Sequence, residues 1–167
     1  MSAAWQSTAP RVVPMTGARV EAVAAIEASA YAFPWSRGNF VDSLAAGYLA
    51  EVMLGPAGEV VAYQVAMQGV DEMHLLNLTV APTHWGRGLG RHLLDRLVLH
   101  ARGVPASAVW LEVRQSNTRA RRIYERYGFV QVGVRRGYYP GPQGSREDAV
   151  VMSLHITQPP EAPDGLV

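Results

Sequence analysis

Short blocks of alternating apolar and polar residues and longer blocks of helical period follow one another along the chain, each bounded by glycine, proline or a capping residue. Residues 11–14 read as a short strand. Thr16 offers a cap for a helix on which Val20, Val23, Ala24 and Glu27 lead to Tyr31. The segment FPWS (33–36) breaks that helix, and Ser36 caps a second, ending near Gly47. Residues 48–54 and 59–68 flank the turn GPAG and predict a two-stranded hairpin. HLLNLTV (74–80) predicts a further strand. Strict alternation there puts Leu76, Leu78 and Val80 on one face and Leu75, Asn77 and Thr79 on the other.

The period changes after Pro82. Leu89, Leu93, Leu94, Leu97, Val98 and Ala101 recur at helical spacing, in a helix that Gly103 ends. Residues 108–113 alternate again, with Trp110 and Glu112 on one face and Val109, Leu111 and Val113 on the other. A helix over 116–127 carries the stripe Ala120, Ile123, Tyr124 and Tyr127, and Gly128 stops it. Two strands, 129–135 and 148–156, complete the pattern, and no internal repeat is visible. One α/β domain over residues 11–156 is expected. The segments 1–10 and 157–167 have too little apolar content to pack and read as flexible ends.

Composition narrows the chemistry. All 15 basic residues are arginine, and 14 acidic residues balance them, so strong affinity for nucleic acid is not indicated. The absence of cysteine excludes disulfides, thiolate metal sites and a cysteine nucleophile. The five histidines (74, 84, 92, 100 and 155) have no acidic partners at metal-ligand spacing, and no metal is assigned. His92 and His100 fall on the solvated side of the long helix. Without a membrane-length apolar run or a basic stretch followed by an apolar one at the N-terminus, the chain reads as cytoplasmic.

WGRGLGRHLL (85–94) lies between a strand and the long helix. Glycines at 86, 88 and 90 let an anion approach the free N–H groups of the helix's first turn, beside Arg87 and Arg91. The alternative is a tight strand-to-helix turn with no ligand. A Walker loop would need Gly-Lys-Ser/Thr, whereas Gly90 is followed by Arg91 and His92. The dinucleotide fingerprint would need a glycine where Arg91 stands, although Glu112 lies about 20 residues on, where a ribose-binding acid belongs.

The loop resembles the acetyl-CoA pyrophosphate loop of the GNAT superfamily, Gln/Arg-x-x-Gly-x-Gly/Ala, here read over Trp85, Gly86, Arg87, Gly88, Leu89 and Gly90. Trp85 departs from that pattern. WLEVRQSNTRARRIYERYGF (110–129), RRGYYP (135–140) with REDAVVM (146–152), and AFPWS are similar to the bacterial ribosomal-protein-alanine N-acetyltransferases, the RimI type. The resemblance spans roughly residues 11–156. It implies a mixed, mostly antiparallel twisted sheet of about six to seven strands flanked by about four helices. It also implies acetyl-CoA as cosubstrate, and the N-terminal peptide of a ribosomal protein as acceptor.

Acetyl transfer needs a neutral amine, a stabilised oxyanion and a proton for the leaving thiolate. Glu112 is a candidate base, its carboxylate placed beside Trp110 where desolvation favours proton uptake; pairing with Arg114 or Arg135 is the equal alternative. Tyr124 on its apolar stripe reads first as a core residue. Asn117 reads as a helix cap. The resemblance implies Glu112 as general base, Tyr124 as general acid, and Asn117 as a cofactor contact. It further implies that the backbone of Leu78, Thr79 and Val80 pairs with the pantetheine arm, and that transfer is direct. Tyr138, Tyr139 and Pro140 form either a peptide-clamping loop or a packed turn. Asp42, Glu72, Glu147 and Asp148 are candidates to meet a basic peptide. Two other functions remain open, an acetyltransferase for small amines or antibiotics and a non-catalytic acyl-CoA-binding module.

Overall fold

In the computed structural model, which describes residues 10–158, the alternating blocks form strands β1 (Arg11–Pro14), β2 (Leu49–Leu54), β3 (Val60–Gln68), β4 (Glu72–Val80), β5 (Ala108–Arg114), β6 (Val130–Pro140) and β7 (Arg146–His155). They make one sheet in the order β1-β2-β3-β4-β5-β7-β6, antiparallel except between β4 and β5. The blocks of helical period form α1 (Val20–Ala30), α2 (Arg37–Ala45), α3 (Leu89–Gly103) and α4 (Thr118–Tyr127). This is the mixed, mostly antiparallel α/β architecture expected. No helix among the described residues is long and apolar enough to cross a membrane.

Each sheet face buries a different helix pair, because successive side chains on a strand point oppositely. Val20 and Val23 of α1 and Phe40 of α2 pack with Val52, Tyr63 and Val65. On the other face Leu94 and Leu97 of α3 pack with Leu75, Val109 and Leu111, and Tyr124 of α4 joins them. Ser36 closes a capping box with Asn39, each satisfying the other's backbone N–H, which fixes the start of α2. Thr16 makes no capping bond. It precedes a 3-10 turn, Gly17–Arg19, that leads into α1.

The strict alternation expected for β4 fails by one residue. Val65 pairs with Asn77 and Ala66 with Leu75, so Leu76 is an extra residue, a bulge. Leu75 therefore shares the α3 face with Leu78 and Val80, while Leu76 joins Asn77 and Thr79 on the α1 face. The parallel pairing of β4 with β5 stops at the same place, at Leu75 opposite Leu111. Beyond that pair the two strands part.

The second aromatic segment also differs from expectation. Tyr138, Tyr139 and Pro140 are not in a loop or turn but end the long strand β6, with Tyr139 opposite Glu147 and Pro140 opposite Arg146. The chain reverses over residues 141–145. The expected flexible segments fall mostly on residues 1–9 and 159–167, outside the described residues. Of the expected C-terminal tail, Thr157 and Gln158 are bonded to the body, to Arg102 Nε at 3.3 Å and to the Ala106 carbonyl at 3.1 Å.

Candidate active site

The parting of β4 and β5 opens a cleft of about 1200 Å³. Leu78 and Val80 of β4, the loop before α3 and the inner face of α4 line it. Past Leu75, the side of β4 that faced β5 has no strand beside it, so its backbone groups are open to an extended ligand.

The loop carries its anion-binding features in the backbone. Gly86 (φ 78°) and Gly88 (φ 75°) occupy the left-handed region that side chains disfavour. Gly88 is the N-cap of α3, so the first-turn amides of Leu89, Gly90 and Arg91 face outward without intrahelical partners. Gly90 is different. A Cβ there would meet Leu78, Val80 and Ile123 side chains at 3.7–4.0 Å, ordinary contact distances. Gly86, Gly88, Leu89, Gly90, Arg91 and Asn117 all line the cleft. Arg87 and the Thr79 side chain do not; Thr79 Oγ1 points to the other face, bonded to Asn77 Oδ1 at 2.7 Å and to the Tyr31 hydroxyl at 2.8 Å.

Three further arginines, Arg119, Arg122 and Arg126, join Arg91 and Arg114 in the lining, against the single carboxylate of Glu147. The signal for them was their spacing on one face of α4, three and four residues apart. Trp85 closes the loop. Its indole N–H donates to the Val80 carbonyl at 2.9 Å, and the Arg119 guanidinium lies over its ring. Such a cationic, amide-lined cleft suits a polyanionic, elongated ligand.

Glu112 sits on β5 with a side chain only 8% exposed, outside the cleft's immediate lining. Its Oε2 is 2.9 Å from His74 Nε2, and the His74 ring stacks on Trp110 at 3.6 Å. Arg135 Nε lies 3.6 Å from Oε1, whereas Arg114 turns away to bond Glu147. Of the two arginines weighed as partners, Arg135 is the neighbour. His74 carried no sequence signal, because only the register of β4 with β5 puts it opposite Trp110.

Tyr124 is both a core residue and a wall of the cleft. Its ring packs edge-on against Phe129 at 5.6 Å, and its hydroxyl makes no hydrogen bond among the described residues. Burial pushes its pKa above the ordinary phenol value, so it holds its proton. Asn117 caps α4 through the Ala120 N–H at 3.2 Å and lines the cleft as well.

On the α1 side, buried Glu27 accepts from the Tyr63 hydroxyl (2.6 Å), Asn77 Nδ2 (2.9 Å) and the Trp35 N–H (2.9 Å). This network fixes the FPWS segment beside β4. Arg114 lies between the rings of Phe33 (5.0 Å) and Tyr139 (4.5 Å), joining that segment to β6. Of the acids suggested for a basic peptide, Glu147 accepts from Arg114 and from the Ser116 N–H, and Asp148 accepts from the Gly137 N–H. Both are committed to the fold, while Asp42 and Glu72 are exposed. His100 is not simply solvated, since it reaches buried Glu51 at 3.5 Å beside Arg96, and His92 is half-buried. No cluster of three or more metal-ligand residues exists among the described residues.

Residues 20–129 match the acetyltransferase (GNAT) family. The chain belongs to this family. Acetyl-CoA is the GNAT cosubstrate, and the arginine-lined cleft with its amide cradle has the charge and shape to hold it. The chain is 41% identical to the [ribosomal protein bS18]-alanine N-acetyltransferase of Haemophilus ducreyi over 78% of its length and 90% of the relative's. It is 42% identical to the enzyme of that name from Escherichia coli K12, covering 79% and 88%. The crystal structure of the Escherichia coli ribosomal-protein-S18-alanine N-acetyltransferase superposes with a TM-score of 0.81 at 34% identity, covering 95% of this chain and 99% of that one.

Proposed function

We propose that this protein transfers the acetyl group of acetyl-CoA to the N-terminal α-amine of a protein, the alanine that begins ribosomal protein bS18, in the cytoplasm. The geometric observation that carries the reading is the opening beyond Leu75 and Leu111, walled by the glycine loop on one side and Tyr124 on the other. The choice of acceptor is supported by the relatives at 37–42% identity that bear that name.

The pyrophosphate lies on the amides of residues 86–91, with Arg91, Arg119 and Arg122 supplying charge. The pantetheine arm continues the sheet along Leu78, Thr79 and Val80, where β5 has parted from β4. Glu112 takes a proton from the ammonium of the acceptor, whose pKa near 8 makes this an easy step. The neutral nitrogen then attacks the thioester carbon directly, and β4 backbone N–H groups hold the oxyanion. The C–S bond breaks, and the Tyr124 hydroxyl gives its proton to the departing thiolate. Direct transfer in a ternary complex accords with a chain that has no cysteine to carry the acetyl group.

The test is intact-mass analysis of a bS18 N-terminal peptide incubated with the protein and acetyl-CoA, beside an N-terminally blocked copy and a panel of small amines. One acetyl added to the free peptide alone is the expected result. Acetylation of small amines alone would replace the acceptor. Binding of acetyl-CoA without any product would leave a non-catalytic module.

A further inference from the structure

His74 has no part in the steps above, yet it is the closest polar neighbour of the residue that starts them. Its Nε2 is 2.9 Å from Glu112 Oε2, and its side chain is 13% exposed against 8% for Glu112. The ring is clamped, lying 3.6 Å from the Trp110 ring and tilted only 9° from it. Main-chain register enforces the arrangement, because His74 is the direct partner of Trp110 in the one parallel ladder of the sheet. That ladder ends one pair later, where the cleft begins. The imidazole therefore stands on the last rigid part of the scaffold before the strands part.

The carboxylate has two oxygens with different surroundings. Oε2 faces His74, and Oε1 faces Arg135 Nε at 3.6 Å, beyond an ordinary hydrogen bond. The other titratable neighbour is Tyr139 of β6, whose phenol pKa is raised by burial first and then by the charge of Glu112. A carboxylate on a strand can rotate about its last side-chain torsion, which is broad. A donor fixed at one oxygen removes that freedom and presents the other.

We infer that His74 is the positioning residue of the base: its imidazole donates Nε2–H to Oε2 of Glu112 and holds Oε1 toward the acceptor amine. The inference rests on the reading of Glu112 as the base. The proton leaves the ammonium nitrogen for Oε1, and His74 keeps its own proton throughout, so the imidazole acts by orientation.

The test uses the full-length protein with acetyl-CoA and the bS18 peptide. His74→Ala is expected to lower kcat by about tenfold or more while KM for both substrates stays within about threefold. Added imidazole, which fits the space vacated on the Trp110 face, should recover part of that kcat. His74→Gln keeps a side-chain N–H donor and should lose less than His74→Ala; it also serves if the alanine variant does not fold. Full kcat in His74→Ala, or in its absence a His74→Gln variant with no turnover but normal acetyl-CoA affinity, would overturn the role. So would a loss in His74→Ala that imidazole leaves untouched. Glu112→Gln separates the two readings. If that variant keeps full turnover, the base is wrong and His74 falls with it; if it is inactive while His74→Ala is fully active, His74 alone falls.

Discussion

The Arg119 guanidinium lies 4.0 Å from the centre of the Trp85 ring, and the same indole donates its N–H to the Val80 carbonyl at 2.9 Å. One side chain thus ties together the end of β4, the glycine loop and the first turn of α4, three walls of the cleft. The pyrophosphate-loop pattern has Gln or Arg where this chain has Trp85. Trp85 commits its one polar group to the Val80 carbonyl, and Arg119 of α4 brings a cation onto its ring.

Trp85→Ala should therefore weaken acetyl-CoA binding without touching the acceptor. The stacked pair and the indole hydrogen bond together are worth about 1–2 kcal/mol, a Kd raised roughly five- to thirtyfold. Calorimetric titration with acetyl-CoA measures this directly. An unchanged Kd would mean that Arg119 reaches the ligand without its support.

Tyr124→Phe removes a hydroxyl that makes no hydrogen bond among the described residues and keeps the ring against Phe129. Folding and acetyl-CoA affinity should be retained while kcat falls by about a hundredfold, the range for loss of a general acid. Stopped-flow measurement of the single-turnover rate isolates the chemical step. A rate equal to wild type would remove Tyr124 as the proton donor.

The glycine loop, both faces of β5 and the caps of α2 and α4 are written in local sequence, through residue types whose meaning does not depend on distant partners. The β4 bulge is not. Leu75 and Leu76 are the same residue type, so no polarity marks which one is extra; the register with β3 decides it. Tyr138 and Tyr139 look like a loop because glycine and proline flank them, yet Tyr139 and Pro140 pair with Glu147 and Arg146 of β7 and extend the strand. His74 enters the site only through the assembled sheet, the arginines of α4 show no more than a helical spacing until the cleft forms around them, and Glu27's role is hidden because its three donors lie 8, 36 and 50 residues away.

Two glycines of the loop should respond oppositely to alanine. At Gly88 (φ 75°) a Cβ forces left-handed backbone on an L-residue, costing about 1 kcal/mol, and sits at the mouth of the amide cradle. At Gly90, inside α3, the added methyl meets only ordinary contacts and gains helix propensity. Gly88→Ala should lower Tm and acetyl-CoA affinity; Gly90→Ala should fold with unchanged or higher Tm. Thermal melts with and without acetyl-CoA report both effects.

Glu27 is 2% exposed and receives three donors on its two oxygens. Glu27→Gln keeps the shape but turns one oxygen into a donor that must face another donor. At least one buried N–H or O–H is left unpaired, costing about 2–3 kcal/mol. Urea unfolding should show that loss with an unchanged m-value. A stability equal to wild type would show that the FPWS segment adjusts to supply an acceptor.

Alkaline pH offers a clean view of the buried tyrosines, because a chain without lysine has few other groups titrating near pH 10. Five of the seven tyrosines, Tyr31, Tyr63, Tyr124, Tyr127 and Tyr139, have pKa values raised in the fold, with burial the largest cause for each. For Tyr63 the adjacent Glu27 carboxylate adds to the effect. An acid whose folded pKa lies above its unfolded value binds its proton more tightly when folded. The resulting stability is fully present below about pH 10 and is lost as pH rises from there toward the folded pKa. Unfolding free energy should therefore fall steeply above pH 10. Absorbance at the phenolate band should rise for the buried Tyr63 and Tyr124 together with the loss of tertiary structure, and a gradual rise for these two in a protein still folded would show that water reaches them.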